Sequence, residues 1–323
     1  MTTKNAFKLR ERGMNYNNFY GYHANCFDGA ASAAAALMYQ DGCHVPMVHG
    51  TDGNIRAMKE ISKFLTQCSE RNQRPHVYLL DFSLSPEACD DVDRHCTQLG
   101  GQFRILDHHK SAMERLGNRS YAYFDMDMSG ATVTWTQLHP DKEIPLFFRY
   151  VEDRDLWRFK LPFSREINAW IGMHGYDPYR YMELVSFLST VEGFSRAVEI
   201  GQSVLKTSDT TAELICQQSK KKKWQLPDDS FVDVVVVNST SHWSEVGDRL
   251  RDENVIGVSW YLDANDCFVF SLRSVGDTDV QHIARMFKGG GHKHAAGFSL
   301  HPDETDNSVR RTFKCLLGFL PEV

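Results

Sequence analysis

Residues 103–110 read Phe103-Arg104-Ile105-Leu106-Asp107-His108-His109-Lys110. An apolar run that stops at an acid and two imidazoles is the pattern of a buried strand whose carboxyl end faces a ligand. Two other runs share it: Phe19-Tyr20-Gly21-Tyr22 stops at His23, and Val77-Tyr78-Leu79-Leu80 stops at Asp81. Between them lie stretches suited to helices at 29–39, 54–65 and 86–99, the first rich in alanine and the last preceded by Ser85 as a cap. Strand alternating with helix predicts βαβ units, hence an α/β chain whose N-terminal parallel sheet carries helices on both faces. Ligands gather at the carboxyl ends of such strands, so His23, Asp81 and Asp107 are expected to converge.

The pattern then changes. From about Tyr181 to Gln218 it is helical, and it ends in Lys220-Lys221-Lys222-Lys223, which reads as a solvated helix end. Phe231 to Val237 is a strong strand signal, and 255–262 with 267–272 reads as a hairpin around Asp263-Ala264-Asn265-Asp266. A helix at about 279–287, a glycine run, a strand at about 296–300 and a helix near 307–317 follow. The expected organisation is a loosely ordered lead-in at 1–18, a parallel-sheet domain at 19–185, a linker helix at 186–224 and a smaller C-terminal α/β domain at 225–323.

With 323 residues, 42% hydrophobic and 24% charged, the chain is of globular type and large enough for two cores. Its formal charge of −6 excludes a generic polyanion binder, so a nucleic-acid ligand would be short and held by a local patch or by metal ions. Eight cysteines without Cys-x-x-Cys spacing argue against a zinc ribbon and for reduced thiols in a cytoplasmic setting. No apolar run is long enough to cross a membrane.

Five clusters carry candidate chemistry. His23-Ala24-Asn25-Cys26-Phe27-Asp28-Gly29 gathers three metal-ligand types, with Cys26 and Asp28 two apart on one side of an extended segment. Taken singly it reads equally well as a polar loop, and Asp81-Phe82-Ser83 as a turn. Asp107-His108-His109 is the third. In the fourth, Glu152-Asp153-Arg154-Asp155 is interleaved with Tyr150, Leu156 and Trp157, which predicts packed acids, and buried acids need a cation. In the fifth, Gly289, Gly290 and Gly291 expose amides beside His292, Lys293 and His294, while Arg273 ends a strand and can grip phosphate through two parallel hydrogen bonds.

In this order the clusters resemble the DHH–DHHA1 phosphoesterase superfamily, over roughly residues 20–300. Asp107-His108-His109 is similar to the motif that names it. Ser271-Leu272-Arg273-Ser274 and the run from Gly289 to Phe298 are similar to the DHHA1 signature. His-x-x-Cys-x-Asp-Gly at 23–29, Ser129-Gly130-Ala131 and the run from Asp153 to Phe159 are similar to a subgroup of bacterial and phage phosphohydrolases. The resemblance implies a metal-dependent phosphodiesterase of nanoRNase type, hydrolysing short oligonucleotides or small nucleotides such as pAp. It implies one or two divalent ions, Mn²⁺ first, with Mg²⁺ or Co²⁺ as alternatives. Asp81 would bridge them. Asp28, His108 and Asp153 would hold one ion, and His23 with Cys26 the other. Asp107 would orient the neighbouring imidazole, and His109 would face the scissile phosphate. Ser129, Arg273, Gly289, Gly290, Gly291, His292 and His294 would bind substrate, the second domain closing the cleft. Cys26 stands where most members carry aspartate, and thiolate favours softer metals than Mn²⁺, so its site is expected to be weaker or differently loaded.

Three alternatives stay open: a cyclic-dinucleotide phosphodiesterase, an exonuclease on longer single strands, and a non-catalytic nucleotide or metal sensor. The expected partner is an oligonucleotide or nucleotide; a homodimer is compatible with the sequence, a membrane partner is not.

Overall fold

The computed structural model describes residues 16–304 and 306–321, so most of the lead-in expected at 1–18 lies outside the described residues. The chain divides into two compact units, with the break after Val204.

The first unit begins with β1 (Asn18–His23), α1 (Phe27–Tyr39), β2 (Cys43–Met47), α2 (Thr51–Glu70), β3 (His76–Leu80), α3 (Pro86–Gln98), β4 (Gln102–Asp107), α4 (Lys110–Leu116) and β5 (Ala122–Phe124). These strands form a five-stranded parallel sheet in the order β2-β1-β3-β4-β5. Successive side chains of a strand point to opposite faces, and here both faces are apolar. Tyr20, Tyr22, Tyr78, Leu80 and Leu106 enter one core, whereas Phe19, Val77, Leu79, Phe103 and Ile105 enter a second. That double burial is why the strands read as continuous apolar runs, and it places helices on both faces as expected. The chain passes from β1 outward to β2, then returns past β1 to β3. The carboxyl ends of β1 and β3 therefore flank the point where strand order reverses, the place where open α/β sheets form a crevice.

Five helices complete this part of the chain: α5 (Gly130–Leu138), α6 (Leu146–Asp155), α7 (Ser164–Gly172), α8 (Pro178–Leu188) and α9 (Val191–Cys216). The alanines of α1 are buried throughout, and their small size lets α1 pack closely on β1, α5 and α8. The helical pattern read from Tyr181 onward is two helices, α8 and α9, interrupted at Ser189 and Thr190, where hydroxyls bond back to the carbonyls of Ser186 and Phe187. The break between units falls inside α9.

The second unit contains β6 (Lys220–Gln225), β7 (Phe231–Asn238), α10 (Trp243–Leu250), β8 (Val255–Leu262), β9 (Phe268–Arg273), α11 (Val280–Met286), β10 (Gly290–His292), β11 (Ala295–Leu300) and α12 (Asn307–Leu316). Its six-stranded sheet has the order β10-β11-β9-β8-β7-β6 and is antiparallel except for β7 with β8, which α10 connects. The β8–β9 hairpin is as expected. The lysine run is not a helix end: it is the edge strand β6, paired antiparallel with β7. Trp224 is fully buried and Lys222 turns its Nζ inward to the Leu316 carbonyl, while the other lysines stay in solvent at the open edge.

Candidate metal centre

The carboxyl ends of β1, β3 and β4 and the adjoining helix ends bring seven chemistry-bearing side chains together. Asp81 lies at the middle. It follows β3 with a left-handed backbone (φ 52°) and is 1% exposed. His108 Nε2 is 3.2 Å from Asp81 Oδ1, and His23 Nδ1 is 3.5 Å from Oδ2. Neither contact has hydrogen-bond alignment, so both buried oxygens of Asp81, like His23 Nδ1, lack a hydrogen-bond partner. Burial opposes ionisation of Asp81, but the facing imidazoles of His108 and His23 and the charge of His109 overcome it and hold its pKa at about 2. The imidazoles thus balance this buried charge without aligned hydrogen bonds, an arrangement in which a metal ion could take over their place at the oxygens.

Asp28 stands in the first turn of α1, fully buried. Its Oδ2 accepts from the Gly130 amide at 2.5 Å and its Oδ1 from the Ala131 amide at 2.9 Å. The N-terminus of α5 is thus aimed at this carboxylate, as helix starts favour. Gly130 is required there, since a Cβ would lie 2.6 Å from Asp81 Cβ and 2.8 Å from Asp28 Oδ2. Ser129, expected to bind substrate, is buried and caps α5 in a reciprocal box with Thr132. Burial and the charges of Asp81 and Asp155 push Asp28 well above the usual carboxylate range.

The acidic run resolves residue by residue. Glu152 accepts from Ser129 N at 3.2 Å and from the Thr132 hydroxyl, and pairs with Arg158 at 2.9 Å. Asp153, expected among the metal ligands, instead accepts from the amides of Lys160 (2.9 Å) and Leu161 (3.1 Å) and holds the turn after α6. Arg154 lies over the Phe27 ring, 4.1 Å from its centroid. The carboxylate in the cluster belongs to Asp155, whose Oδ2 is 3.5 Å from His108 Nε2. Two positions along a helix rotate a side chain by more than half a turn, so Asp153 and Asp155 cannot face the same site.

Asp107 is committed to its own motif. Its Oδ1 meets the amides of His108 (2.7 Å) and His109 (3.2 Å) and the Nδ1 of His109 (2.7 Å), while Oδ2 accepts from Ser83 (2.7 Å). The hydrogen bond that His109 Nδ1 donates to Asp107 raises the His109 pKa against the opposing effect of burial. For His108, burial again opposes, but the contacts with Asp81, Asp28 and Asp155 prevail and lift it to about 9. Cys26 is mostly buried; burial and the charges of Asp81 and Asp28 push its thiol far up, so it holds its proton.

Three ligand sets of metal-binding size result: His23, Cys26 and Asp81; Asp81, His108 and His109; Asp28, His108 and Asp155. They overlap at Asp81 and His108. Carboxylate and imidazole donors suit a divalent first-row cation, and the unpartnered oxygens of Asp81 are the feature that fits one best. His49, just past β2, was not foreseen. Its ring stacks on Phe82 at 4.6 Å and meets the edge of His23 at 4.7 Å. Its sole sequence signal was its position after a strand end.

In the second unit, the residues expected to bind substrate separate by role. Arg273 lines a groove of about 830 Å³ together with Gly289, Gly290 and Gly291. His292 and His294 are exposed, and His294 Nδ1 lies 3.3 Å from the Ser274 hydroxyl. The DHHA1 domain profile matches residues 239–316, the part of the chain that carries this groove. Oligoribonuclease NrnB of Bacillus subtilis is 22% identical over 316 residues, which cover 92% of this chain and 76% of NrnB.

The DHHA1 match over residues 239–316 and the likeness to NrnB support the DHH–DHHA1 superfamily for this chain. The uncharacterized protein R106 of Acanthamoeba polyphaga mimivirus is 26% identical over 295 residues; these cover 86% of this chain but 66% of R106, just under two thirds. Among solved structures, a pGpG-specific phosphodiesterase, PggH, from Vibrio cholerae aligns over 89% of this chain and 94% of its own, with 12% identity and a TM-score of 0.44. An uncharacterized Helicobacter pylori protein aligns over 88% and 94%, with 13% identity and a TM-score of 0.47.

Proposed function

We propose that this protein is a divalent-metal-dependent phosphodiesterase acting on short oligonucleotides or small nucleotides. The observation that carries the reading is Asp81: buried, ionised, without hydrogen bonds, and shared between ligand sets from three strand ends. NrnB, an oligoribonuclease, supports the substrate class. Bound at these sets, divalent cations supply hydroxide near neutral pH and neutralise phosphate charge. His23, Asp28, Asp81, His108 and Asp155 serve as ligands, Asp155 taking the place expected for Asp153. Asp107 holds the proton on His109 Nδ1 and favours the imidazolium, so His109 Nε2–H is the donor offered to an anionic phosphate oxygen. The two α5 amides keep Asp28 in place and limit its motion on ligation. Arg273 holds the anionic end of the substrate, with Gly290 and Gly291 beside it; the Gly289 amide is already donated to the Ala284 carbonyl at 2.9 Å. Net negative charge favours short substrates over long strands.

Purified protein is expected to release mononucleotides from labelled dinucleotides with Mn²⁺ and to stop on chelation. Asp81→Ala and His108→Ala should lower the rate by on the order of 10³-fold. Normal rates in either variant overturn the reading.

The protonated Cys26 thiol favours a second reading for the His23–Cys26–Asp81 set, a weak or substrate-dependent cation site. Cation titration of Cys26→Asp, expected to bind Mn²⁺ more tightly there, checks it.

A further inference from the structure

Core residues such as Phe287 and Phe298 line part of the groove of the C-terminal unit, and the part around Arg273 lies on the opposite sheet face. Val258, Phe270 and Leu272 enter that core. The alternate residues point the other way, and register sets Tyr261 beside Val269, Ser271 beside Gly297, and Arg273 beside Ala295. The floor is thus made of small residues, Ser271, Ala295 and Gly297, with room for a flat ligand. Arg273 is fixed rather than free: its guanidinium donates to Ser244 Oγ (2.8 Å), Ser271 Oγ (3.1 Å) and the Leu272 carbonyl (2.9 Å). Three of its N–H groups are engaged, and the remaining donors are available to an anion.

Next to Ser244 stands Trp243, which stacks on Tyr261 with ring centroids 5.2 Å apart and planes 14° from parallel. Its indole Nε1 donates to the Ser239 carbonyl at 3.0 Å, which locks the ring, yet Trp243 remains 40% exposed and lines the groove. Tyr261 lines it too. A locked aromatic stack and a fixed cation in one groove match a ligand with a planar ring at one end and an anion at the other. Asp248 and Glu245 of α10 act on the guanidinium from the protein side, and its remaining donors are what an anionic ligand would meet.

We propose that the Trp243–Tyr261 stack is a nucleobase platform, so that this groove holds one terminal nucleotide, its base on the stack and its phosphate toward Arg273. The assignment rests on the phosphodiesterase reading for taking that nucleotide to be the end of the substrate. Stacking on an aromatic side chain is tolerant of base identity, so the platform would select for a base without selecting which one.

The test uses the full chain in chelator, where hydrolysis is off, and compares equilibrium binding of AMP with that of ribose 5-phosphate, which lacks the base. AMP is expected to bind about 5- to 100-fold more tightly. Trp243→Ala should collapse that ratio toward one, and Trp243→Phe, which keeps a ring, should restore most of it. Arg273→Gln should weaken both ligands while leaving the ratio near its wild-type value. Equal binding of the two ligands by wild-type protein, which needs no variant to fold, overturns the platform. So does a ratio unchanged in folded Trp243→Ala. Dinucleotide hydrolysis with Mn²⁺ on the same preparation separates the two claims: a base preference dependent on Trp243 without turnover keeps the platform and removes the phosphodiesterase reading.

Discussion

The two units solve opposite electrostatic problems. The parallel-sheet unit concentrates acceptors: Asp28, Asp81 and Asp155 crowd around His108, and the oxygens of Asp81 lack donors. The antiparallel unit concentrates donors, with Arg273 held on a floor of small residues and glycine amides beside it. One site suits a cation, the other an anion. Under the proposed function the first surface would hold metal ions and the second the anionic end of a nucleotide.

The largest effect that would break this contrast lies in the acidic run. If Asp155 is the ligand and Asp153 the turn-holder, the two alanine variants should fail differently. Asp155→Ala should lose about 100-fold or more in turnover and most of its Mn²⁺ affinity, with little change in melting temperature. Asp153→Ala should leave the Lys160 and Leu161 amides unpaired and lose about 1–3 kcal/mol of stability, with Mn²⁺ affinity shifted far less. Cation calorimetry and thermal melts on both variants decide it; the opposite pattern restores Asp153 to the ligand set.

The second contrast is in pH. His108 is raised to about 9, so near neutrality the cation must displace its proton. The sign follows: affinity for Mn²⁺ should climb as pH rises from about 7 to 8.5, by up to about tenfold per unit, with proton release. The anion site should be flat over the same range. Burial lowers the Arg273 pKa from its very high ordinary value, yet guanidinium stays charged there. Calorimetry in buffers of different ionisation enthalpy reads the protons directly. Cation affinity independent of pH would mean that His108 is not a ligand.

Much of this was legible because physics writes it locally. Double-faced burial turns strands into apolar runs, and the strand-end rule sets His23, Asp81 and Asp107 at one rim. What was not legible depends on direction and distance. Asp153 and Asp155 are equivalent in composition, and their helical phase alone separates them. The lysine run carries no apolar alternation beyond Trp224, so its role as edge strand is set by its pairing with Val232 to Val236. The amides of Gly130 and Ala131 carry no side-chain signal at all, and His49 sits in an ordinary loop.

The smallest predicted effect separates glycines used for space from those used for exposure. In the acceptor site, Gly130→Ala drives a methyl into Asp81 and Asp28, so it should lower cation affinity before it lowers stability. In the donor site, the glycines are not equivalent. Gly291 has φ 138°, and a Cβ there would lie 2.5 Å from the Ala295 carbonyl oxygen, so Gly291→Ala should cost about 1–3 kcal/mol. Gly290 has nothing within 4 Å of an added Cβ, and Gly290→Ala should stay within about 0.5 kcal/mol of the parent. Because Gly290 nevertheless lines the groove, its methyl should be felt by the ligand instead, as weaker AMP binding at unchanged melting temperature. Melts and AMP titrations of the two variants separate the roles. If Gly290→Ala destabilises the fold as Gly291→Ala does, the run is needed for chain folding throughout, and the amide of Gly290 is not kept open for an anion.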